Sequence, residues 1–188
     1  MSNRLIIHST PLSGLIVAQR KVVIDHRGQF SRIYCLDELS QFGFSKPISQ
    51  INHSITKMRG AVRGLHFQFS PYAETKIVSC LQGEVFDVAV DLRVESSTFL
   101  HWYGEMLSAS NHKSLCIPEG FAHGFQTLTE DCELLYVHTA PYQPDSEGGL
   151  HVQDPQLKID WPLPISELSD RDRTHPFLAE AQFQGVQL

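Results

Sequence analysis

Short apolar segments with β-strand composition, separated by turn residues at intervals of about ten, dominate the chain. The alternation is clearest in segment 85–92, where every even-numbered residue from Phe86 to Leu92 is apolar and would face one side of a sheet. The odd-numbered positions, which include Asp87 and Asp91, would face the other side. Strands are predicted over residues 15–24, 48–55, 61–69, 76–81, 84–92, 102–107, 114–117 and 132–140.

This number of strands in one domain predicts an all-β fold, either a sandwich or a jelly-roll barrel. Segments 63–68 and 118–125 each place a histidine inside a strand-like apolar run beside glycines. A short helix is predicted near residues 36–42. Proline, glycine and polar residues become frequent from Asp145 onward. Residues 1–188 are therefore predicted to form a single domain, with an irregular tail from about 173 that contains one helical turn.

Composition and charge exclude several classes of function. The 188 residues carry a net charge of -6 and contain no basic run that could follow a phosphate backbone, so no nucleic-acid partner is expected. No segment is long and apolar enough to span a membrane, and no signal peptide is visible. The four cysteines form no Cys-x-x-Cys pair, so neither structural zinc nor a redox dithiol is expected. A cytoplasmic protein with reduced thiols is predicted.

A jelly-roll barrel offers a lumen lined by alternate side chains, where a small ligand can bind. Polar groups buried there are costly unless they are partnered, so a high density of them indicates a site rather than a packing core. Arg63 and His66 have opposite parity on their strand and can share a cavity only if Gly64 allows a bulge or the strand begins after Arg63. The polar residues predicted to point inward are His66, Gln68, Asp87, Asp91, Tyr136 and His138.

A metal site is one hypothesis for this cavity. Segment 118–123 reads Pro-x-Gly-x-x-His, the second half of the cupin signature, in which the histidine binds a metal. The first half requires His-x-His followed by Glu, whereas this chain has His66-x-Gln68 with Glu74 further along. His66, His123 and Glu74 could still form a facial triad for non-haem iron. Because glutamine replaces a strong nitrogen ligand, no metal is predicted.

Six ordered blocks of sequence carry a resemblance to a known family. They are Asp25-His26-Arg27-Gly28-Gln29-Phe30, Gln50-x-Asn52-x-Ser54, Arg63-Gly64-Leu65-His66-Phe67-Gln68, Asp87-Val88-Ala89-Val90-Asp91-Leu92-Arg93, Ile117-Pro118-Glu119-Gly120-Phe121-Ala122-His123-Gly124-Phe125, and Asp154-Pro155 with Trp161-Pro162. Together they resemble the dTDP-4-dehydrorhamnose 3,5-epimerase family from about residue 4 to residue 178. The order and spacing of the blocks make the resemblance specific, whereas Pro-x-Gly-x-x-His alone would be weak.

The resemblance implies a homodimeric, cupin-like jelly roll with short peripheral helices. It also implies epimerisation of a nucleotide-linked 4-keto-6-deoxyhexose without metal or cofactor. Carbons 3 and 5 of such a sugar flank the C4 ketone, so removal of either proton leaves an enolate. A base on one face and an acid on the other invert the centre, and donors at the ketone oxygen stabilise the enolate.

Motif positions imply a role for each residue of such a site. His66 resembles the base, and Asp172 resembles the carboxylate that orients it, with Asp170 as the alternative. Tyr136 resembles the acid on the opposite face, because a phenol is neutral at pH 7. Lys76 resembles the donor to the enolate oxygen. The residues that resemble the remaining polar wall are His123 and Asp87.

The resemblance also implies a binding region. Arg63 and Arg171 resemble ligands of the pyrophosphate, joined by Arg27 from the N-terminal region of a second subunit. Arg171 replaces the commoner lysine, and segments 56–59 and 69–74, which flank the base, depart from the family pattern. Residues that resemble the frame of the nucleoside are Phe30, Gln50, Asn52, Tyr142 and Glu147. Histidines predicted as surface or packing residues, without a role, are His26, His53, His101, His112, His138 and His151.

Three hypotheses follow. The first is a 3,5-epimerase that converts dTDP-4-dehydro-6-deoxy-glucose to dTDP-4-dehydro-rhamnose for surface polysaccharide. The second is a mono-epimerase that inverts only C3 or only C5 of a related nucleotide 4-ketosugar. The third is a cupin, either metal-dependent or a catalytically silent sugar-binding protein. The presence of His66, Lys76 and Tyr136 together argues against the silent form.

Overall fold

The computed structural model describes residues 3–188, which form two antiparallel β-sheets, a separate hairpin and short helices. The helices are α1 (Leu36–Leu39), α2 (Asp170–Arg173) and α3 (Leu178–Ala181), with single 3-10 turns at Ser40–Phe42 and Pro144–Ser146. The strands are β1 (Leu5–Ser9), β2 (Ile16–Arg20), β3 (Val23–Asp25), β4 (Gly28–Phe30), β5 (Gln50–Thr56), β6 (Val62–Gln68), β7 (Lys76–Gln82), β8 (Glu84–Asp91), β9 (Trp102–Ser108), β10 (Lys113–Ile117), β11 (Phe121–Thr127), β12 (Cys132–His138) and β13 (Glu147–Gly149).

Two sheets make up the body of the fold. One has six strands in the order β1-β2-β10-β7-β12-β5, and the other has five in the order β13-β6-β11-β8-β9. The hairpin β3-β4 is a two-stranded sheet of its own. Apart from β1-β2 and β8-β9, neighbouring strands in the two large sheets are not consecutive in the chain, as expected for a jelly roll. The predicted all-β, cupin-like jelly roll with short peripheral helices is confirmed.

Both faces of the five-stranded sheet are buried, as β8 shows. Val85 and Ala89 belong to the core between the two sheets, together with Leu115 of the opposing sheet. Val88 and Val90 belong to a second core on the outer face. The odd and even positions of β8 therefore face opposite sides, as the alternation predicts.

The C-terminal segment 150–188 covers that outer face. Leu150, Leu157, Leu178 and Val186 are all buried there against the five-stranded sheet. The region after residue 173, predicted to be irregular with one helical turn, contains α3 and a final segment that is tied to the sheet at Val186. This covering segment brings α2 next to β6.

Several predicted elements match, and a few were not foreseen. Helix α1 and the 3-10 turn after it together span residues 36–42, where a short helix was predicted. The predicted strand 15–24 is interrupted between β2 and β3. Strands β1, β4 and β13 were not predicted: β4 and β13 are only three residues long, and in β1 only Leu5 is buried. Within residues 3–188, no helix has the length and apolar character required to cross a membrane.

Candidate active site

A cavity of about 310 Å³ opens between the two sheets and collects most of the predicted site residues. Strands β5, β7 and β12 supply one wall, and β6 and β11 supply the other. Predicted residues that line it are Gln50, Asn52, Arg63, His66, Lys76, His123, Tyr136, Tyr142, Glu147 and Arg171. The predicted residues Asp87 and Asp172 lie directly behind two of these side chains.

A bulge in β6 allows Arg63 and His66 to face the same cavity. His66 pairs with His123 and Arg63 with Phe125, so two residues of β6 oppose only Gly124 of β11. Of the two alternatives that the sequence allowed, the structure has the bulge, since β6 begins at Val62, before Arg63. Gly64 is required there, because its φ of +131° and the Gly124 Cα only 2.5 Å from an added Cβ leave no place for a side chain.

His66 and Asp172 form a hydrogen-bonded pair, with the imidazole Nε2 2.7 Å from the carboxylate Oδ1. The backbone N–H of Gly64 also donates to Asp172, and Ser169 caps α2 by accepting from the Asp172 N–H. Burial alone would raise the pKa of Asp172, but the hydrogen bond and charge of His66, with the Gly64 and Ser169 contacts, lower it to about 2. The ionised carboxylate therefore fixes the proton on Nε2 and leaves Nδ1 free to accept one.

The structure favours Asp172 over Asp170 as the partner of the base. Asp172 is 2% exposed, whereas Asp170, two residues earlier on the same turn, points into solvent. Arg171 crosses the mouth of the cavity, with Nη1 2.8 Å from Glu147 and Nη2 3.1 Å from the His66 Nε2. Since that nitrogen donates to Asp172, the second approach is a contact between two donors rather than a hydrogen bond.

His123 and Asp87 form a second pair, with Nε2 2.9 Å from Oδ1. They lie on the adjacent strands β11 and β8, and Asp87 is fully buried. Asp87 therefore pairs with a cavity histidine rather than with Arg63. Asp91, predicted to point inward, is held by Arg93, Ser96 and Thr98 away from the cavity.

Tyr136 faces the cavity from β12, on the opposite sheet to His66. Its hydroxyl lies 3.1 Å from the Ser54 Oγ on β5. Burial raises the pKa of Tyr136 well above its usual value, and the Ser54 contact only partly opposes that rise. The phenol is therefore neutral at pH 7 and able to donate a proton.

Lys76 is 7% exposed at the start of β7, although a lysine in that position would usually be a solvated edge charge. Its Nζ lies 3.3 Å from the backbone oxygen of His66 and 3.1 Å from Glu74. The same Glu74 accepts a hydrogen bond from His138, 2.8 Å from Nδ1. Glu74 and His138 therefore belong to the cavity wall. His138 was predicted to point inward but without a catalytic role, and Glu74 was considered only as a possible metal ligand.

The rim residues are held by one another. Glu147 accepts hydrogen bonds from Arg171 and from the Tyr142 hydroxyl, and Gln50 accepts one from the Tyr142 N–H. Gln68, predicted as an inward polar group, instead bonds the backbone of the 141–143 loop and is 4% exposed.

Arg27 and Phe30 do not reach this cavity. They lie on the β3-β4 hairpin, every residue of which is exposed. Arg27 bonds only Asp25 on its own hairpin. Among residues 3–188 of a single chain, these two predicted binding residues therefore lie away from the site.

One cluster has donors close enough to share a metal ion. The ligand atoms of His66, Asp172 and His175 lie within 4.8 Å of one another, and this is the single such group among residues 3–188. The facial triad considered as an alternative is not assembled, because His123 is paired with Asp87 and Glu74 with His138 and Lys76. In the observed cluster, the atoms that a metal would need are already joined in the His66–Asp172 hydrogen bond.

His175 and Ser54 were also missed by sequence reasoning. His175 packs edge-on against His66 and lies where a Cβ on Gly149 would be. It falls in the region predicted to be an irregular tail, which carries no pattern that would place it. Ser54 stands in the Gln-x-Asn-x-Ser block, two residues after Asn52, and residues at that spacing on a strand share one face. This spacing could have placed Ser54 beside Asn52 in the cavity.

The arrangement suits proton transfer on both faces of a flat ligand. A base oriented by a carboxylate lies on β6, a neutral phenol lies on the opposite sheet, and a buried ammonium lines the same cavity. A ligand held between them could lose a proton on one side and gain one on the other. The ammonium can stabilise an oxyanion formed in between.

Comparisons with known proteins agree with this chemistry. A family model described as dTDP-4-dehydrorhamnose 3,5-epimerase matches residues 9–180. The chain is 44% identical to dTDP-4-dehydrorhamnose 3,5-epimerase from Salmonella typhimurium, over 94% of this chain and 97% of the relative. It is 39% identical to dTDP-4-dehydrorhamnose 3-epimerase from Streptomyces niveus, over 86% of this chain and 78% of the relative.

A solved structure is similar over nearly the whole length. The crystal structure of dTDP-6-deoxy-D-glucose-3,5-epimerase from Legionella pneumophila, in complex with dTDP-4-keto-L-rhamnose, superposes with a TM-score of 0.90 at 38% identity. The match covers 98% of this chain and 98% of the other. Together with the family model and the sequence relatives, it establishes that the chain belongs to the dTDP-4-dehydrorhamnose 3,5-epimerase family.

Proposed function

We propose that the protein epimerises C3 and C5 of dTDP-4-dehydro-6-deoxy-glucose without a cofactor, giving dTDP-4-dehydro-rhamnose. The observation that carries the proposal is the placement of the His66–Asp172 pair and the neutral Tyr136 in one cavity, on opposite sheets. Family membership agrees with the same reaction. The product is a precursor for rhamnose-containing surface polysaccharide.

Proton transfer begins at His66. Its unprotonated Nδ1 takes the proton from C3 or C5, the C–H electron pair becomes the enolate double bond, and negative charge develops on the C4 oxygen. Asp172 stabilises the imidazolium that forms, because its charge lies 2.7 Å from Nε2. Lys76 donates to the enolate oxygen, a kind of contact whose loss typically costs on the order of a hundredfold to a thousandfold in rate.

Reprotonation from the other face completes the inversion. Tyr136 gives its phenolic proton to the carbon as the enolate returns to the ketone, and solvent replaces that proton at the tyrosine. His66 in turn loses the abstracted proton to solvent. The base and acid are then restored, so the same pair can act at the second carbon. His123 and Asp87 complete the polar wall beside them.

Substrate binding uses the mouth of the cavity. Arg63 and Arg171 are exposed there and are proposed to bind the pyrophosphate through paired guanidinium hydrogen bonds. Occupation by phosphate would draw Arg171 away from its contact with His66. The side chains proposed to frame the nucleoside are Gln50, Asn52, Tyr142 and Glu147.

A homodimer would complete the site. The hairpin β3-β4 carries Ile24 at 76% exposure and Phe30 at 66%, while β5 is an edge strand with Ile51 at 58%. Exposed apolar groups on a free edge and an isolated hairpin mark an interaction surface. We propose that a second copy covers this edge and that its hairpin supplies Arg27 and Phe30 to the neighbouring cavity.

The four cysteines of the chain are all free thiols. Free thiols support the proposal that the protein works in a reducing compartment, the cytoplasm. No nucleic-acid or membrane partner is proposed.

Product analysis tests the function. The protein is incubated with dTDP-4-keto-6-deoxyglucose, the ketone is reduced with borohydride, and the sugars are identified after hydrolysis. Rhamnose and its C4 epimer are the expected products. A sugar inverted at C3 alone would favour the second candidate, a mono-epimerase, which the 39% identity to a 3-epimerase keeps open. Recovery of unchanged substrate configurations would refute both.

A further inference from the structure

A buried cluster of charged groups forms part of the cavity wall beside the proposed enolate site. Glu74 lies between Lys76, whose Nζ is 3.1 Å from Oε1, and His138, whose Nδ1 is 2.8 Å from Oε2. The three side chains are 9%, 8% or 10% exposed. Lys76 and His138 are cross-strand partners in the β7-β12 pairing, so the sheet itself holds them together. A carboxylate that bridges them can therefore fix both.

The hydrogen bonds define one tautomer of His138. Burial alone would raise the pKa of Glu74, but the hydrogen bond from His138 and the charge of Lys76 lower it, so the carboxylate is ionised. An ionised carboxylate only accepts, so Nδ1 of His138 must donate. In the neutral imidazole Nε2 is then an acceptor, and the Asn52 Nδ2 lies 3.4 Å from it. The chain Asn52–His138–Glu74–Lys76 thus has each donor facing an acceptor.

This chain orients the ammonium of Lys76. An ammonium has three N–H donors, and the contacts to Glu74 and to the His66 carbonyl oxygen use two of them. One donor remains for a ligand in the cavity that Lys76 lines. The charge of Glu74 also offsets the cost of burying the ammonium.

We infer that Glu74 and His138 are a positioning pair that holds the Lys76 ammonium where the enolate oxygen develops. The effect of this pair on catalysis rests on the proposed function, whereas its effect on the position of the Lys76 ammonium does not. His138 keeps Glu74 from turning into the cavity, and Glu74 keeps Lys76 against the His66 carbonyl oxygen. Neither residue needs to touch the reacting atoms.

Three variants test the pair: Glu74→Gln, His138→Leu and His138→Asn. The amide of His138→Asn can place an N–H where Nδ1 was, so it retains the donor to Glu74, whereas His138→Leu removes it. Glu74→Gln and His138→Leu are expected to lower kcat by about tenfold to a hundredfold with KM little changed, as misplacement of a catalytic group does. His138→Asn is expected to keep most of the activity.

Glu105→Gln is the matched control. Glu105 bridges Lys113 at 2.9 Å and the Tyr103 hydroxyl at 2.6 Å on β9 and β10, outside the cavity lining. The Glu105→Gln variant removes a carboxylate–lysine contact of the same kind and is expected to leave kcat unchanged. An unchanged kcat in Glu74→Gln, or equal losses in His138→Leu and His138→Asn, would overturn the inference.

Crystal structures of Glu74→Gln and His138→Leu provide a second readout that needs no substrate. The Lys76 Nζ is expected to leave its position 3.3 Å from the His66 carbonyl oxygen. An unmoved Nζ would overturn the positioning role even if kcat falls, because the effect would then be electrostatic. If the wild-type protein fails to epimerise the sugar, the proposed function fails while the displacement of Lys76 still decides the inference.

Discussion

Single residues in this site are held by partner side chains, which are distant in the sequence for His66 and local for Lys76. His66 is bonded to Asp172 and Lys76 is held by Glu74, so each reactive group has a neighbour that fixes its orientation or charge. Motif reasoning predicted His66, Lys76 and Tyr136, because those residue types stand in recognisable blocks. It gave Glu74 and His138 no part in proton transfer, because the contact between them depends on the β7-β12 register rather than on any local pattern.

Asp172→Asn is expected to lower kcat by a factor on the order of 10³ to 10⁴, because an amide no longer fixes the tautomer of His66 or stabilises its protonated form. Steady-state kinetics of substrate conversion would measure the loss. Asp170→Asn is the matched control, since Asp170 lies two residues away on α2 and is exposed. A large loss in Asp170→Asn with none in Asp172→Asn would reverse the assignment.

Stability should depend on pH through the same carboxyl. Because the pKa of Asp172 is lowered from 3.8 to about 2, the folded state gains stability above the unfolded value and loses it as the pH falls through about 2. The difference in unfolding free energy between wild type and Asp172→Asn should shrink by roughly 2 kcal/mol from pH 6 to pH 2. Urea titrations at several pH values measure this, and a difference independent of pH would contradict the ion pair.

At the scale of elements, the bulge in β6 is the feature that assembles the site. The parity of Arg63 and His66 allowed either a bulge at Gly64 or a strand that begins after Arg63, and the structure shows the bulge. Helix α2 shows the opposite case. Its single turn docks against β6 through contacts more than a hundred residues apart in sequence, which no local pattern encodes. The alternation of β8 was readable, although both of its faces are buried, because one face carries Asp87 and Asp91 and the other is apolar.

Gly64→Ala is expected to destabilise the fold more than Gly28→Ala. Both glycines have a similar positive φ, +131° and +132°, so they share the backbone strain of roughly 1–3 kcal/mol. Only at Gly64 would the new Cβ overlap the backbone of β11, because nothing lies within 4 Å of the corresponding position at Gly28. Urea unfolding of the two variants isolates the packing cost. Equal losses would show that the close β6–β11 approach is unimportant.

At the scale of the whole molecule, the exposed hairpin and the free edge of β5 point to a second subunit. The sequence predicted that Arg27 would act on a neighbouring site, and in one chain Arg27 stays on its own hairpin. The quaternary arrangement could not be derived from strand patterns, because exposed apolar residues on an edge do not identify their partner. The homodimer therefore remains a proposal with a direct test.

Subunit complementation tests whether Arg27 acts in trans. Chains carrying Arg27→Ala and His66→Ala are co-expressed with different tags, and each variant is also purified alone. In a mixed dimer with trans contribution, one of the two sites has both native residues. With random pairing about half of the dimers are mixed, and one of the two sites in each mixed dimer is intact. Roughly a quarter of wild-type activity should therefore be restored. If Arg27 serves its own chain, no mixed site is intact and activity stays at the level of the single variants.

The central claim is that His66 removes protons from both carbons that flank the ketone, and solvent exchange measures this most directly. The protein is incubated with dTDP-4-keto-6-deoxyglucose in deuterated water, and the H3 and H5 signals are followed by proton NMR. We predict that both signals disappear with the wild-type protein and persist with His66→Ala. Persistence of both signals with the wild type, or their loss with His66→Ala, would contradict the claim.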